Sequence, residues 1–234
     1  MLELYSVPID GSLPAVRLNA APVAAGDVGG ELHDVQFFHL SPDSSRVVYA
    51  SDEESNNQIQ LYSAPLDGSQ PRVRLNPALV TGGDVAHDPA LAPAESFRIT
   101  PDSARVVYLA DQDLNDAFEL FSVALDGSSP AVRISGPLVP SADVLGDFLL
   151  TPDGTRVLFA ADRLQDGVLE LFEAPVDGST NPRRVSGPFV ASGSLASPPV
   201  FALGPDGSRA FYLADQETDG RAELFAGLLS RPLL

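Results

Sequence analysis

The chain has no cysteine and no lysine, and these absences exclude several kinds of site. Without cysteine there are no disulfides, thiolate metal sites or cysteine nucleophiles. All 14 basic residues are arginine, against 32 acidic residues, so the net charge is −18. Such a surface repels phosphate groups, and we therefore expect no binding to nucleic acid. Basic protein patches or cations are the partners that this charge favours.

Long apolar segments are also missing. No run approaches the roughly 18 apolar residues of a membrane span, so no membrane insertion is expected. The N-terminus "MLELYSVPIDG" has no basic segment followed by an apolar one, and no signal peptide is predicted. Helical periodicity is almost absent. Short alternating β-branched and aromatic segments separated by Pro, Gly and Asp take its place, which indicates strands and tight turns.

One segment recurs four times. "SPDSSRVVYASD" at 41–52 returns as "TPDSARVVYLAD", "TPDGTRVLFAAD" and "GPDGSRAFYLAD". In each copy an (Glu/Gln)-Leu-(Tyr/Phe) motif begins 18 residues after the Pro. Where the chain continues far enough, an Asp or Ser follows that motif by 24 residues, and only the connector to the next Pro varies in length. Insertions confined to one place indicate a surface loop on a rigid repeated unit.

Each block predicts four short antiparallel strands, a to d. Strand a carries Phe-x-(Leu/Ile), strand b is "RVVYA", strand c is "IQLYSAP" and strand d is "RVRLN" in the first full copy. Pro-Asp turns join a to b, and Asp-Gly turns join c to d. We expect the Arg that opens strand b to pair with the Asp of its own turn or with an acid of a neighbouring blade. We expect the Phe of strand a to pack in the core between blades, at Phe38, Phe97, Phe148 and Phe201.

Tandem four-stranded units predict an all-β fold, a β-propeller of about four four-stranded antiparallel blades. The repeat resembles the TolB-type, WD-repeat-like propeller blade. That signature runs Ser-Pro-Asp-Gly, a hydrophobic strand, an Asp-containing loop, Leu-Tyr and Asp-Gly, and the resemblance covers nearly the whole chain. The resemblance implies a non-catalytic scaffold that binds protein, in a periplasmic or extracellular setting. Relatives of this propeller also precede serine-peptidase domains.

We predict one propeller domain over 1–234, with the blade phase offset at the termini. The units are approximately 1–34 (partial), 35–94, 95–145, 146–198 and 199–234 (partial). Three arrangements remain open. C-terminal strands a and b could complete a blade with N-terminal strands c and d, the chain could be a piece of a larger propeller, or two copies could assemble into a larger ring as a homodimer.

The loops between strands b and c are acidic and begin at Asp52, Asp111, Asp162 and Asp215. Oxygen atoms at the first, third and fifth positions suit a hard cation such as Ca²⁺. The alternative is a polar hairpin turn in which the first Asp caps its own backbone. The best candidate metal ligands are Asp111, Asp113, Asn115, Asp215, Glu217 and Asp219.

The connectors carry a second recurrence, "GDV" or "ADV". Its acids, Asp27, Asp84 and Asp143, are candidate ligand-binding residues that would ring an axis and hold a cation or a basic side chain; the fourth copy has Ser194. The structural alternative is that each Asp caps a turn.

Nothing in the sequence indicates catalysis. The three histidines share no repeat position, and no Gly-x-Ser-x-Gly motif occurs. We therefore expect a non-enzymatic propeller without an obligatory cofactor that binds a protein through its acidic b–c loop face. The alternatives are a module that binds Ca²⁺ or a glycan, and a propeller fragment of a larger surface protein or peptidase.

Overall fold

The computed structural model describes residues 2–20, 35–55, 58–85 and 96–230. These residues form seventeen strands and no helix, which confirms the all-β prediction. Among them, accordingly, no helix is available that could cross a membrane.

The strands form five antiparallel sheets in which sequence neighbours pair. They are β1 (Tyr5–Ser6) and β2 (Val16–Arg17); β3 (Val35–Leu40), β4 (Arg46–Ser51), β5 (Gln60–Pro65) and β6 (Val73–Arg74); β7 (Phe97–Ile99), β8 (Arg105–Ala110), β9 (Glu119–Ala124) and β10 (Val132–Arg133); β11 (Val144–Leu150), β12 (Arg156–Ala161), β13 (Glu170–Pro175) and β14 (Arg183–Arg184); and β15 (Phe201–Leu203), β16 (Arg209–Ala214) and β17 (Glu223–Leu228). The three middle sheets contain strands a to d in the predicted order.

The a–b turns are built from side-chain hydrogen bonds. In the first, the Ser41 hydroxyl donates to Asp43 at 2.6 Å and accepts the Arg46 amide at 3.0 Å. Thr100 and Thr151 do the same in the next two copies. These bonds tie both ends of the first three turns together, whereas the fourth turn, which has Gly204 at this position, closes through the backbone bond from the Gly207 N–H to the Gly204 carbonyl at 2.9 Å.

Two of the strand-b arginines bond across the sheet instead of to their own turn acids, whereas Arg105 interacts electrostatically with its turn acid, Asp102. Arg46 Nε donates to Ser63 Oγ at 2.8 Å, and Arg156 Nε donates to Glu173 at 2.8 Å. Both partners belong to strand c of the same sheet. The turn Asp is already engaged by hydroxyl and amide donors, so the arginine reaches across the sheet instead.

Two compact units divide the chain: Met1–Asp116 with Val123–Ala131, and Ala117–Ser122 with Val132–Leu234. In the first unit, strands β1 and β2 bury Leu4 and Leu18 against Tyr49 and Tyr62 of the next sheet. The two tyrosine rings stack at 5.3 Å between centroids. The prediction of a single domain over 1–234 stays a prediction.

In the second unit, the sheet β11–β14 packs against the sheet β15–β17. Leu158 and Leu171 on one side share a buried cluster with Ala210 and Tyr212 on the other. One face of a sheet is therefore covered by the opposite face of the sheet that follows it in the chain, which is how blades of a propeller pack.

One strand-a phenylalanine departs from the expected core packing. Phe97 and Phe148 are fully buried as predicted, but Phe38 is 52% exposed because its neighbouring sheet, β1–β2, has only two strands among the described residues. Among the described residues, β1 and β2 form a sheet of their own and β17 pairs with β16, and the arrangement of the two chain ends stays a prediction.

Candidate functional site

The connector acid Asp84 is part of a compact hydrogen-bond network in the first unit. Its carboxylate accepts the backbone N–H of Ile59, directly before strand β5, at 2.6 Å. Its own N–H donates to Asp111 Oδ1 at 2.6 Å, and its carbonyl accepts the Asp111 N–H at 3.2 Å. Asp84 thus joins one repeat to the b–c loop of the next.

The second unit repeats the arrangement at Asp143. Its carboxylate accepts the Phe118 N–H at 2.7 Å, and its own N–H donates to Asp162 Oδ1 at 2.7 Å. In the last copy, Ser194 replaces the connector Asp. Its hydroxyl accepts the Leu169 N–H at 3.1 Å, and its N–H donates to Asp215 at 2.5 Å. A neutral hydroxyl fills the role of the acid, so this position requires an acceptor rather than a charge.

In three of the four b–c loops, the first Asp closes the loop with its second oxygen. Asp111 Oδ2 accepts the Asp116 N–H at 2.9 Å, and Asp162 Oδ2 accepts the Gly167 N–H at 2.8 Å. In the last loop, Asp215 accepts the amides of Ser194 and Gly220, and these hydrogen bonds lower the pKa of Asp215. Both oxygens of each of these three acids are therefore occupied by backbone donors.

The connector acids Asp27, Asp84 and Asp143 were predicted to bind a ligand together. Asp84 and Asp143 lie in different units, each held by local backbone bonds, and Asp27 lies outside the described residues. The arrangement favours the capping alternative for Asp84 and Asp143, while a ligand-binding role for this set stays a prediction.

The predicted calcium ligands divide between occupied and exposed groups. Asp111 and Asp215 accept backbone amides, whereas Asp113, Asn115, Glu217 and Asp219 are exposed. Within the described ranges, no group of three or more His, Asp or Glu side chains is arranged to hold a metal. A Ca²⁺ ion at Asp111 would have to displace backbone donors that already satisfy it. Calcium binding stays a prediction.

Two of the four b–c loops carry an exposed leucine among the acids at their tips. In the first unit, Leu114 is 67% exposed and lies between exposed Asp113 and Asn115. In the second unit, Leu164 is 54% exposed and precedes exposed Asp166 by two residues. Each loop is held at its base and presents a leucine and a carboxylate outward.

A buried ion pair in the first unit was missed by sequence reasoning. Glu53 forms an ion pair with Arg72 and accepts the Tyr49 hydroxyl at 3.1 Å, and the Arg72 guanidinium lies 4.2 Å from the Tyr62 ring centre. The signal was available in the repeat: the residue after the first loop Asp is Glu53 here but Gln112, Arg163 and Gln216 elsewhere. A buried glutamate at a position where the other repeats have Gln or Arg indicates a basic partner specific to this repeat, which is Arg72.

A surface depression of about 380 Å³ lies beside this pair, also unpredicted. Its lining includes Arg17, Asn19, Ala64, Gly68, Pro71 and Arg72. Both arginines are already paired, Arg17 with Glu3 at 3.0 Å and Arg72 with Glu53 and with Glu54 at 3.0 Å. The depression therefore offers no unneutralised cation to an anionic ligand.

No protein-family model matches the chain, and no curated protein matches it either. Several solved structures do. A prolyl endopeptidase is similar with a TM-score of 0.51 and 15% identity, over 92% of this chain and 29% of its own. A TolB candidate from Agrobacterium tumefaciens has a TM-score of 0.45 and 18% identity, over 97% of this chain and 83% of its own. Oligogalacturonate lyase in complex with manganese has a TM-score of 0.46 and 13% identity, over 80% of this chain and 46% of its own.

The likeness to the prolyl endopeptidase concerns the fold. Together with the successive antiparallel sheets, it shows that the chain has a β-propeller fold, as the repeat predicts. The chain spans less than a third of that enzyme. A TolB candidate is among the similar structures.

Proposed function

We propose that the chain is a non-catalytic propeller scaffold that binds a protein partner through its b–c loops. The observation that carries this proposal is the construction of those loops. Asp111 and Asp162 hold the base of each loop by two backbone bonds, so that Leu114 and Leu164 are presented among acids on a fixed framework. A loop fixed before binding loses less conformational entropy when a partner docks.

The chemistry of the loops favours a basic protein partner. Exposed carboxylates beside one exposed leucine suit a basic surface with a small apolar recess. The net charge of −18 would speed the encounter with such a surface at low ionic strength. Binding should weaken as salt is added, because the rim charges are screened over about 8–10 Å at physiological ionic strength.

The test compares two charge-matched variants. The loop variant carries Asp113→Arg and Asp166→Arg, and the turn variant carries Asp67→Arg and Asp126→Arg in the Asp-Gly turns at the opposite ends of strands c. Proteins that cross-link to the chain in extracts of the producing cells are quantified. We expect a protein that is captured by the wild type and the turn variant but not by the loop variant. Equal capture by the loop variant, or loss only in the turn variant, would refute the choice of face.

The alternatives from the sequence make different predictions. If the loops bind Ca²⁺, the melting temperature should be higher in millimolar Ca²⁺ than in EDTA. A glycan partner should give signals on a glycan array that the loop variant lacks. A propeller piece of a larger surface protein or peptidase would show in the full-length transcript. The periplasmic or extracellular setting rests on the TolB resemblance and is tested by fractionation of the producing cells.

A further inference from the structure

The last sheet, β15–β17, has one buried face and one exposed face. Tyr212 and Ala210 pack into the cluster with the preceding sheet. On the opposite face, Leu224 is 70% exposed and Leu228 is 66% exposed. Apolar side chains grouped on one exposed sheet face indicate an interaction surface rather than scattered surface residues.

The repeat shows what normally covers this face. Leu224 opens the Leu-(Tyr/Phe) step of strand c, and the corresponding Leu61, Leu120 and Leu171 are all fully buried. In the second unit, Leu171 lies in a cluster against which Phe225 of the following sheet packs. In the first unit, Leu4 shares a cluster with Tyr62 of the following sheet. The leucine of one repeat therefore packs with the strand-c ring of the next.

The second half of the same contact is exposed on β1. Tyr5 corresponds to Tyr62, Phe121 and Phe172, which are at most 2% exposed, yet Tyr5 is 51% exposed. Val7 is on the same side of this segment and corresponds to the buried Ala64, Val123 and Ala174, yet it is 58% exposed. The first sheet thus presents the ring-bearing face that a preceding repeat would cover.

We propose that a second copy of the chain fills this contact head to tail, with Leu224 and Leu228 of one copy packed against Tyr5 and Val7 of the other. The occupant is a second copy because the chain forms this contact twice internally and exposes one half of it on β17 and the other half on β1. The two halves differ, so the interface is heterologous and can propagate into a ring or an open chain. This inference is independent of the proposed loop-face function.

The test is the mass of the purified chain in solution, measured by analytical ultracentrifugation from micromolar to millimolar concentration. We expect concentration-dependent association of the wild type. Leu224→Asp and Val7→Asp should each weaken association at least about tenfold, because a carboxylate would be buried without a partner. Both sites are exposed in a single copy, so the melting temperature of each dilute variant should match that of the wild type.

Mixing the two variants distinguishes the head-to-tail contact from others. Leu224→Asp keeps an intact first sheet and Val7→Asp keeps an intact last sheet, so an equal mixture should form dimers and nothing larger. Leu114→Asp, a matched change at a loop tip, should associate like the wild type. A wild type that stays monomeric overturns the proposal. So does self-association of Val7→Asp alone, which would show a symmetric contact between two last sheets.

Discussion

Glu53 in the first unit and Glu173 in the second are both buried glutamates that face arginine, yet their environments differ. Glu53 accepts the Tyr49 hydroxyl and the Ala20 N–H and pairs with Arg72. Burial raises the pKa of Glu53 more than Arg72 lowers it.

Glu173 has more donors. Ser230 gives it both its N–H at 3.0 Å and its hydroxyl at 2.7 Å, and the Nε atoms of Arg156 and Arg183 donate at 2.8 and 2.7 Å. Burial raises the pKa of Glu173, but the bonds from Ser230, Arg183 and Arg156 outweigh it and the net pKa is lowered. The two glutamates therefore differ in the direction of their pKa shift, because Glu173 has two arginines and Ser230 as donors where Glu53 has a single arginine.

The largest expected effect comes from making the same substitution at both sites. Glu173→Gln should lower the free energy of unfolding by about 3 kcal/mol at neutral pH, because two arginines and Ser230 lose their shared carboxylate. Glu53→Gln should cost less than about 1 kcal/mol, since glutamine already occupies this position at Gln112 and Gln216 and bonds the ring hydroxyl there. Urea denaturation measures both.

A control for the pair is Glu223→Gln, which removes an exposed ion pair with Arg221 at 3.4 Å. It should change stability by no more than about 0.5 kcal/mol. Equal losses for Glu53→Gln and Glu173→Gln would contradict the comparison.

The pH dependence should differ in sign at the two glutamates. Because the pKa of Glu173 is lowered in the folded state, its ionised form stabilises the fold above the normal pKa of glutamate. This stabilisation is lost as the pH falls through the folded-state pKa. Because the pKa of Glu53 is raised in the folded state, its protonated form stabilises the fold below the normal pKa of glutamate. This stabilisation is lost as the pH rises through the folded-state pKa.

Denaturation curves at a series of pH values check this. Glu173→Gln should flatten the loss of stability in acid. Glu53→Gln should remove a loss that develops above the normal glutamate pKa. Parallel stability profiles for the two variants would show that the two sites do not differ in their coupling to protons.

A smaller effect is expected at Asp84, whose carboxylate accepts a backbone N–H. Asp84→Ala should cost about 1–2 kcal/mol, because the Ile59 N–H loses its acceptor in a half-buried site. Asp84→Ser should recover much of this, since Ser194 does the same work with a hydroxyl in the last copy. Thermal melts compare the two, and a serine variant no better than alanine would mean that the charge matters.

The repeat predicts the strands and turns because their causes are local. Alternating apolar residues define each strand, and Ser41 with Asp43 or Thr100 with Asp102 closes a turn within three residues. The bond from Asp84 to Asp111 could not be predicted in the same way, because it joins residues 27 apart whose approach depends on sheet packing. The sequence favours a turn-capping role for Asp84, but it does not identify Ile59 or Asp111 as the partner.

The departures from the repeat were the hardest to predict. Glu53, Arg72 and Glu173 each occur once at their positions, so no periodic signal identifies their partners. The exposure of Phe38 had a similar cause, since its burial depends on what covers its sheet and not on its own strand. The repeated sequence pattern therefore predicts the strands and turns, whereas the buried charges Glu53, Arg72 and Glu173 lie at positions that depart from the pattern.

Within each unit, a repeat buries one face against the repeat that follows it. Hydrogen exchange of the dilute, monomeric chain measures this burial. We expect slow exchange throughout β12, which lies in a sheet packed against the next, and faster exchange in β16, whose sheet has an exposed face. Equal protection of β12 and β16 in the monomer would contradict the claim.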